Sequence, residues 1–208
     1  EDEFLKRASI RSLDKSKSDE ILIGSALGFF IYTHEGIFKE QYKYQPTSEN
    51  DISSRVIRTS YEDSDGNIWI GTYDKLNLLD RKSKQLTHFK LQKRDTIYHS
   101  NNLVLSIQPL NSDDDSILAI GTETGLCLFN RHTKEFKQFS HSDYEESISN
   151  SVVKTVQAVD NQLWLGTDLG LNIFDVKENK FTNLFYDYSN SFSISNNVIN
   201  DLFLDSKR

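Results

Sequence analysis

Apolar runs of four to eight residues, each closed by Gly, Asn, Asp or Ser, recur along the whole chain. They are rich in Ile, Val, Phe, Tyr and Thr, the residue types that suit a pleated, half-buried surface. Sustained helical spacing over 10 to 12 residues is absent, so the pattern predicts strands throughout and an all-β chain. One run returns four times: Ile21-Leu22-Ile23-Gly24-Ser25, Ile68-Trp69-Ile70-Gly71-Thr72, Leu118-Ala119-Ile120-Gly121-Thr122 and Leu163-Trp164-Leu165-Gly166-Thr167. Their glycines are 47, 50 and 45 residues apart.

Each copy has companions. A second apolar stretch follows at 29–32, 76–79, 126–129 and 171–174, then a third at 37–38, 85–90, 135–139 and 180–185. Another precedes it at 10–13, 56–61, 103–110 and 152–159. Four short strands per unit of about 40 to 50 residues is the signature of β-propeller blades. The predicted blades cover about 4–50, 51–101, 102–150 and 151–196, and 197–208 repeats a first strand, making a partial β-propeller with the opening of a fifth blade. The two tryptophans, Trp69 and Trp164, are expected to be buried between neighbouring blades. Either indole in an open groove would instead favour a binding role.

The turns refine this picture. Asp63-Ser64-Asp65-Gly66-Asn67 begins like a calcium loop, but lacks the later ligands and the Glu at the twelfth position, so it reads as a structural Asx-type turn. Asp113-Asp114-Asp115, one blade later, reads as a solvated acidic loop. A glycine follows the repeated run as Gly28, Gly125 and Gly170, whereas Lys75 holds that place in the second blade. A left-handed backbone is strained for Lys, so that turn is expected to differ.

Composition narrows the function classes. The chain has 208 residues, 37% hydrophobic and 26% charged, with 13 Phe and 9 Tyr, which is a globular, aromatic-rich make-up. A net charge of −7 opposes a nucleic-acid or anionic-membrane partner. The longest apolar-looking run, 21–32, is far short of the roughly 20 residues of a membrane span. Cys127 has no cysteine to pair with and reads as a buried thiol, and the absence of Met suggests a piece of a longer precursor. The five histidines fall in separate turns and late strands without metal-ligand or nucleophile spacing, so no catalytic residue, metal site or cofactor is assigned.

The stretch Asp63-Ser64-Asp65-Gly66-Asn67-Ile68-Trp69-Ile70-Gly71-Thr72, its counterpart 161–172, the tails Thr87-His88-Phe89 and Lys180-Phe181-Thr182, and the linker Ile194-Ser195-Asn196-Asn197-Val198 resemble the two-component regulator propeller repeats. Such repeats occur in the periplasmic sensor region of hybrid two-component histidine kinases. The resemblance implies a seven-bladed parent ring and a non-catalytic sensor that detects oligosaccharides and controls polysaccharide-utilisation genes. It further implies the rest of the sensor ectodomain as a neighbour and a parent protein able to form a homodimer. Lys75, Ala119 in place of Trp and the Gly24-Ser25 ending depart from the pattern. A protein-interaction propeller and a propeller hydrolase or lyase are the alternatives.

Meander topology puts the long connections 42–54, 91–102, 140–151 and 186–197 on one face, with the turns after Gly-Thr. Loops carried by a rigid scaffold are where binding residues concentrate. The candidate ligand-binding residues there are Tyr73, Asp74, Lys75, Tyr98, His99, Glu123, Tyr144, Asp168 and Tyr188.

Overall fold

A computed structural model describes residues 8–48, 50–91, 102–144 and 147–205. Among them there is no helix, and sixteen strands form four antiparallel four-stranded sheets. The first sheet contains β1 (Ile10–Lys15), β2 (Ile21–Ser25), β3 (Gly28–Tyr32) and β4 (Phe38–Tyr42). The second contains β5 (Ile57–Glu62), β6 (Ile68–Thr72), β7 (Leu76–Leu79) and β8 (Leu86–Phe89). The third has β9 (Val104–Pro109), β10 (Ile117–Thr122), β11 (Gly125–Asn130) and β12 (Phe136–Phe139), and the fourth β13 (Val153–Val159), β14 (Gln162–Thr167), β15 (Leu171–Asp175) and β16 (Lys180–Leu184). Within each sheet the strands are hydrogen-bonded in chain order, the meander of a propeller blade.

The chain divides into two compact units, Glu1–Val104 and Leu105–Arg208. In the first, Leu22, Phe29 and Ile31 of one blade pack with Ile57, Ile68, Ile70 and Leu79 of the next. In the second, Ala119 and Leu126 join Val153, Val156, Leu163, Leu165, Phe174 and Phe181. Each core therefore lies between blades, which is why the repeated run is apolar on both faces: all five positions of β6 are buried.

The glycine of that run is required by close approach, with no positive φ at any of the four copies. A Cβ on Gly24 would sit 2.9 Å from Ile57, and on Gly71 2.5 Å from Val104, the last residue of the first unit. On Gly121 it would lie 2.6 Å from the carbonyl oxygen of Val153, and on Gly166 2.7 Å from Ile199. In all four places the incoming first strand, or its equivalent, rests directly on the glycine.

The next residue closes the hairpin. The hydroxyls of Ser25, Thr72, Thr122 and Thr167 donate to the carbonyls of Gly28, Lys75, Gly125 and Gly170 at 2.8–3.0 Å. They also accept backbone N–H groups from within the turn. Gly28 and Gly125 take φ of 123° and 130°, whereas Lys75 stays out of the left-handed region, and Thr72 Oγ1 there accepts both the Asp74 and Lys75 N–H. The second-blade turn differs in the way the lysine demands.

Asp63 is the organiser of its turn. One carboxylate oxygen accepts the N–H groups of Asp65 and Asn67, and the other accepts the Trp69 indole N–H at 2.9 Å. Trp69 is 1% exposed and stacks obliquely on Phe89 at 5.7 Å. Burial was expected for Trp164 as well, but that indole is only half-buried. It lines a groove of about 320 Å³ with Gln157, Val159, Leu202, Phe203, Leu204 and Asp205. The chain that faces Trp164 is the irregular segment 199–205 and not a complete blade; in addition the hairpin at Asp160-Asn161 is too short to supply a counterpart of Asp63, and Trp164 Nε1 has no hydrogen-bond partner among the described residues. The segment 197–205 carries no regular strand, although Ile199 N donates to Thr167 O at 2.9 Å.

Candidate functional site

The connections that leave each fourth strand are tied into the blade they enter. In the second blade, buried Asn77 accepts the Ser53 N–H through Oδ1 at 2.9 Å and donates to the carbonyls of Ile70 and Lys75. In the fourth, Asn172 is fully buried, accepts the Ser149 N–H at 2.7 Å and donates to Ser149 Oγ at 2.8 Å. Ile52 and Ile148, beside those serines, are buried in the two cores. Each loop is thus fixed by one apolar anchor and one polar pin. Cys127 stands at the pinning position of the third blade, where burial pushes its thiol up to about 12.

Sequence reasoning missed Asn77 and Asn172 as anchors. The available signal was an Asn at the same register of two otherwise apolar strands, Leu76-Asn77-Leu78 and Leu171-Asn172-Ile173.

In the second unit, hydrogen bonds tie together the turns and loops that carry four of the candidate residues. Ser140 Oγ donates to Thr124 O, beside Glu123 in the β10–β11 turn. Ser149, in the same connection as Tyr144, donates through Oγ to Leu169 O, beside Asp168 in the β14–β15 turn. Gly170 N donates to Asn197 O, and Asn197 Oδ1 accepts the Tyr186 N–H, which brings in the loop carrying Tyr188. Tyr144 is 82% and Tyr188 92% exposed. Asp168 is engaged by an ion pair with Lys154.

Tyr73, Asp74 and Lys75 occupy the corresponding edge of the first unit. Tyr73 is exposed and its N–H donates to Val56 O at 3.3 Å, while Lys75 lies 3.4 Å from Asp74. Thr72 Oγ1 is 3.0 Å from Ser53 Oγ, which ties that turn to the loop entering the second blade. Tyr98 and His99 lie outside the described residues. No cluster of His, Cys, Asp and Glu able to hold a metal ion occurs among the described residues.

Comparison with known proteins identifies the repeat. Residues 51–74 match the family model of the two component regulator propeller, and that segment is a repeat of this family. No curated protein matches the chain. Among solved structures, the chain is similar to the extracellular domain assigned to the hybrid two component system BT4673 of B. thetaiotaomicron. The identity is 21%, the TM-score 0.78, and the match covers 95% of this chain and 25% of that one. The corresponding domain of BT3049 from the same organism gives 19% identity and a TM-score of 0.57 over 95% of this chain and 31% of that one. A streptogramin B lyase structure gives 13% and 0.61 over 85% and 54%. The chain therefore spans about a quarter of the BT4673 ectodomain. The likeness establishes propeller blades, and with the family match it bears out the resemblance read from residues 63–72.

Proposed function

We propose that this chain is part of the extracytoplasmic, periplasmic sensing propeller of a hybrid two-component regulator, and that it works by binding oligosaccharides, without catalysis, to control polysaccharide-utilisation genes. The observation that carries the reading is the pairing of an invariant scaffold with variable edges. Four blades share the same glycine contact and hydroxyl-closed turn, and the loops between them differ in sequence while two are pinned by buried asparagines. Such a scaffold holds binding groups in place and leaves their identity free to vary. The family match of 51–74 and the similarity to hybrid two component system ectodomains support the regulator context. Non-catalytic action is supported by the turns themselves: the carboxylate of Asp63 is consumed by backbone and indole N–H groups, and Asp168 by Lys154.

The test is a glycan array with the intact parent ectodomain, followed by a reporter assay on the full-length regulator. Binding of an oligosaccharide that also induces the reporter, with no change in the sugar on prolonged incubation, is the expected result. Cleavage of the oligosaccharide by purified protein, or normal induction by a regulator lacking its propellers, would overturn the reading.

A further inference from the structure

The loops of the second unit carry a feature that the scaffold does not explain. Ser147 Oγ accepts the Ser142 N–H at 3.2 Å and donates to Ser142 O at 2.7 Å, closing the loop around Tyr144. Ser193 does the same one blade later: its Oγ accepts the Asp187 N–H at 3.0 Å and donates to Asp187 O at 3.1 Å, closing the loop around Tyr188. Backbone bonds Ser147 N to Tyr144 O and Ser193 N to Asn190 O complete the two rings. Asp187 Oδ1 further accepts the Ser189 N–H, and Asn190 Oδ1 the Phe192 N–H. These are hydrogen-bonded loops, yet they hold Tyr144, Tyr188 and Phe192 at 82, 92 and 96% exposure. Exposed aromatic rings on hydrogen-bonded loops are efficient contact surfaces, because little side-chain entropy is lost on binding.

Charge then narrows the ligand. The whole net charge of the chain falls in residues 105–208, which hold 15 Asp and Glu against 8 Lys and Arg, while residues 1–104 hold 16 of each. The loop segments 140–152 and 185–198 contain no Lys or Arg at all. Their one imidazole, His141, is tied through Nδ1 to Ile148 O at 2.8 Å, and neighbouring Lys154 is taken by Asp168. Arg and Lys are the strong charge-assisted donors for sulfate, phosphate and uronate, these two loops carry none, and their carboxylates repel such groups.

On the sensor reading above, we infer that this edge of the second unit takes an uncharged oligosaccharide, with Tyr144 and Tyr188 stacking on the apolar faces of its sugar rings. Carboxylates such as Asp143 and Glu123 then serve as acceptors for ring hydroxyls, a role in which negative charge is an asset. Sulfated and uronic-acid glycans are excluded by the same charges. The selectivity is thus written into an absence of cations on two loops that otherwise share the clamp of their hydroxyls.

The experiment uses the intact parent ectodomain and calorimetry against two sets of probes: neutral oligosaccharides from mannan, xylan and β-glucan, and anionic ones from polygalacturonate and heparin. Binding is expected within the neutral set only. Tyr144→Ala and Tyr188→Ala should each weaken it by about tenfold, since a well-placed ring contributes up to about 1.5 kcal/mol beyond its area. Tyr144→Phe and Tyr188→Phe, which keep the ring, should stay close to wild type. All four variants should melt with the parent, because neither side chain is buried. Neutral binding undiminished in the double alanine variant would overturn the site while leaving the sensor reading intact, and binding confined to the anionic set would overturn the ligand class alone. Failure of every glycan, with retention of a protein partner through Tyr144 and Tyr188, would overturn both.

Discussion

Replacing Asn172 with Leu isolates the tie between a loop and its blade. The side chain is fully buried, and its removal strips the Ser149 N–H, itself buried, of the acceptor 2.7 Å away. An orphaned buried donor costs about 1–3 kcal/mol. The bonds from Nδ2 to Ser149 Oγ and Gly170 O are lost too; Gly170 O keeps the Thr167 hydroxyl as a donor and Ser149 Oγ still donates to Leu169 O, so their loss adds only about 1 kcal/mol. Leu fills the volume, which removes a cavity from the account, and the expected destabilisation is about 2–4 kcal/mol. Urea titration should show it as a lower midpoint at unchanged slope, and the Ser149 amide should lose hydrogen-exchange protection. Asn172→Cys, which copies the residue the third blade carries as Cys127, should fall in the same range. A destabilisation below about 0.5 kcal/mol with Ser149 still protected would refute the idea that this asparagine pins the loop.

The two tryptophans should separate. Trp69→Ala removes a fully buried ring and its bond to Asp63, costing about 3–5 kcal/mol by denaturation, whereas half-buried Trp164 should cost clearly less; equal losses would contradict the packing difference. Acid should weaken the first unit through Glu20. Burial pulls its carboxyl upward, but bonds and charges from Lys39 and Arg81 outweigh it and hold it low. A depressed folded pKa contributes stability above the ordinary value of about 4.3, lost as pH falls through the folded value. The gap in melting temperature between wild type and Glu20→Gln should therefore be wide at neutral pH and close on acidification below that point; a gap that is constant with pH would count against the network. Cys127, buried and with its thiol at about 12, should resist a disulfide reagent at pH 8 until the protein is unfolded; rapid labelling of folded protein would show the thiol accessible.

The blades were legible because their signals are local. Apolar runs closed by Gly-Thr or Gly-Ser announce strand, turn and inter-blade contact together, and Lys75 announced its own exception. What escaped depends on partners distant in sequence. Trp69 and Trp164 sit in nearly identical strands, yet one is buried and bonded and the other is not. The difference lies in the turn before them, Asp63 against Asp160-Asn161, and in how the chain covers each indole. Asn77 and Asn172 look like polar lapses in apolar strands until the segments 24 and 23 residues earlier fold over them. The clamps of Ser147 and Ser193 were equally silent, since serine is abundant in every linker and only geometry shows which hydroxyl grips the backbone.

Those pins and clamps bear on binding as well as stability. A flexible loop must be ordered when a ligand arrives, at about 0.5–1.5 kcal/mol for each immobilised side chain, and a pinned loop has met that cost on folding. Ile148 and Ser149 lie four and five residues beyond Tyr144. Ile148 is locked in the core with Val153 and Phe174, and Ser149 is held by Asn172. Releasing Ser149 should therefore loosen Tyr144 without touching the ligand-facing ring. In the intact ectodomain, Asn172→Leu is expected to weaken binding of a neutral oligosaccharide several-fold at temperatures where the variant is still folded. Its effect should vanish in a Tyr144→Ala background, because the loosened ring is then absent. Additive losses in that double-mutant cycle would show the pin to be a stability device alone, with the platform at Tyr144 independent of it.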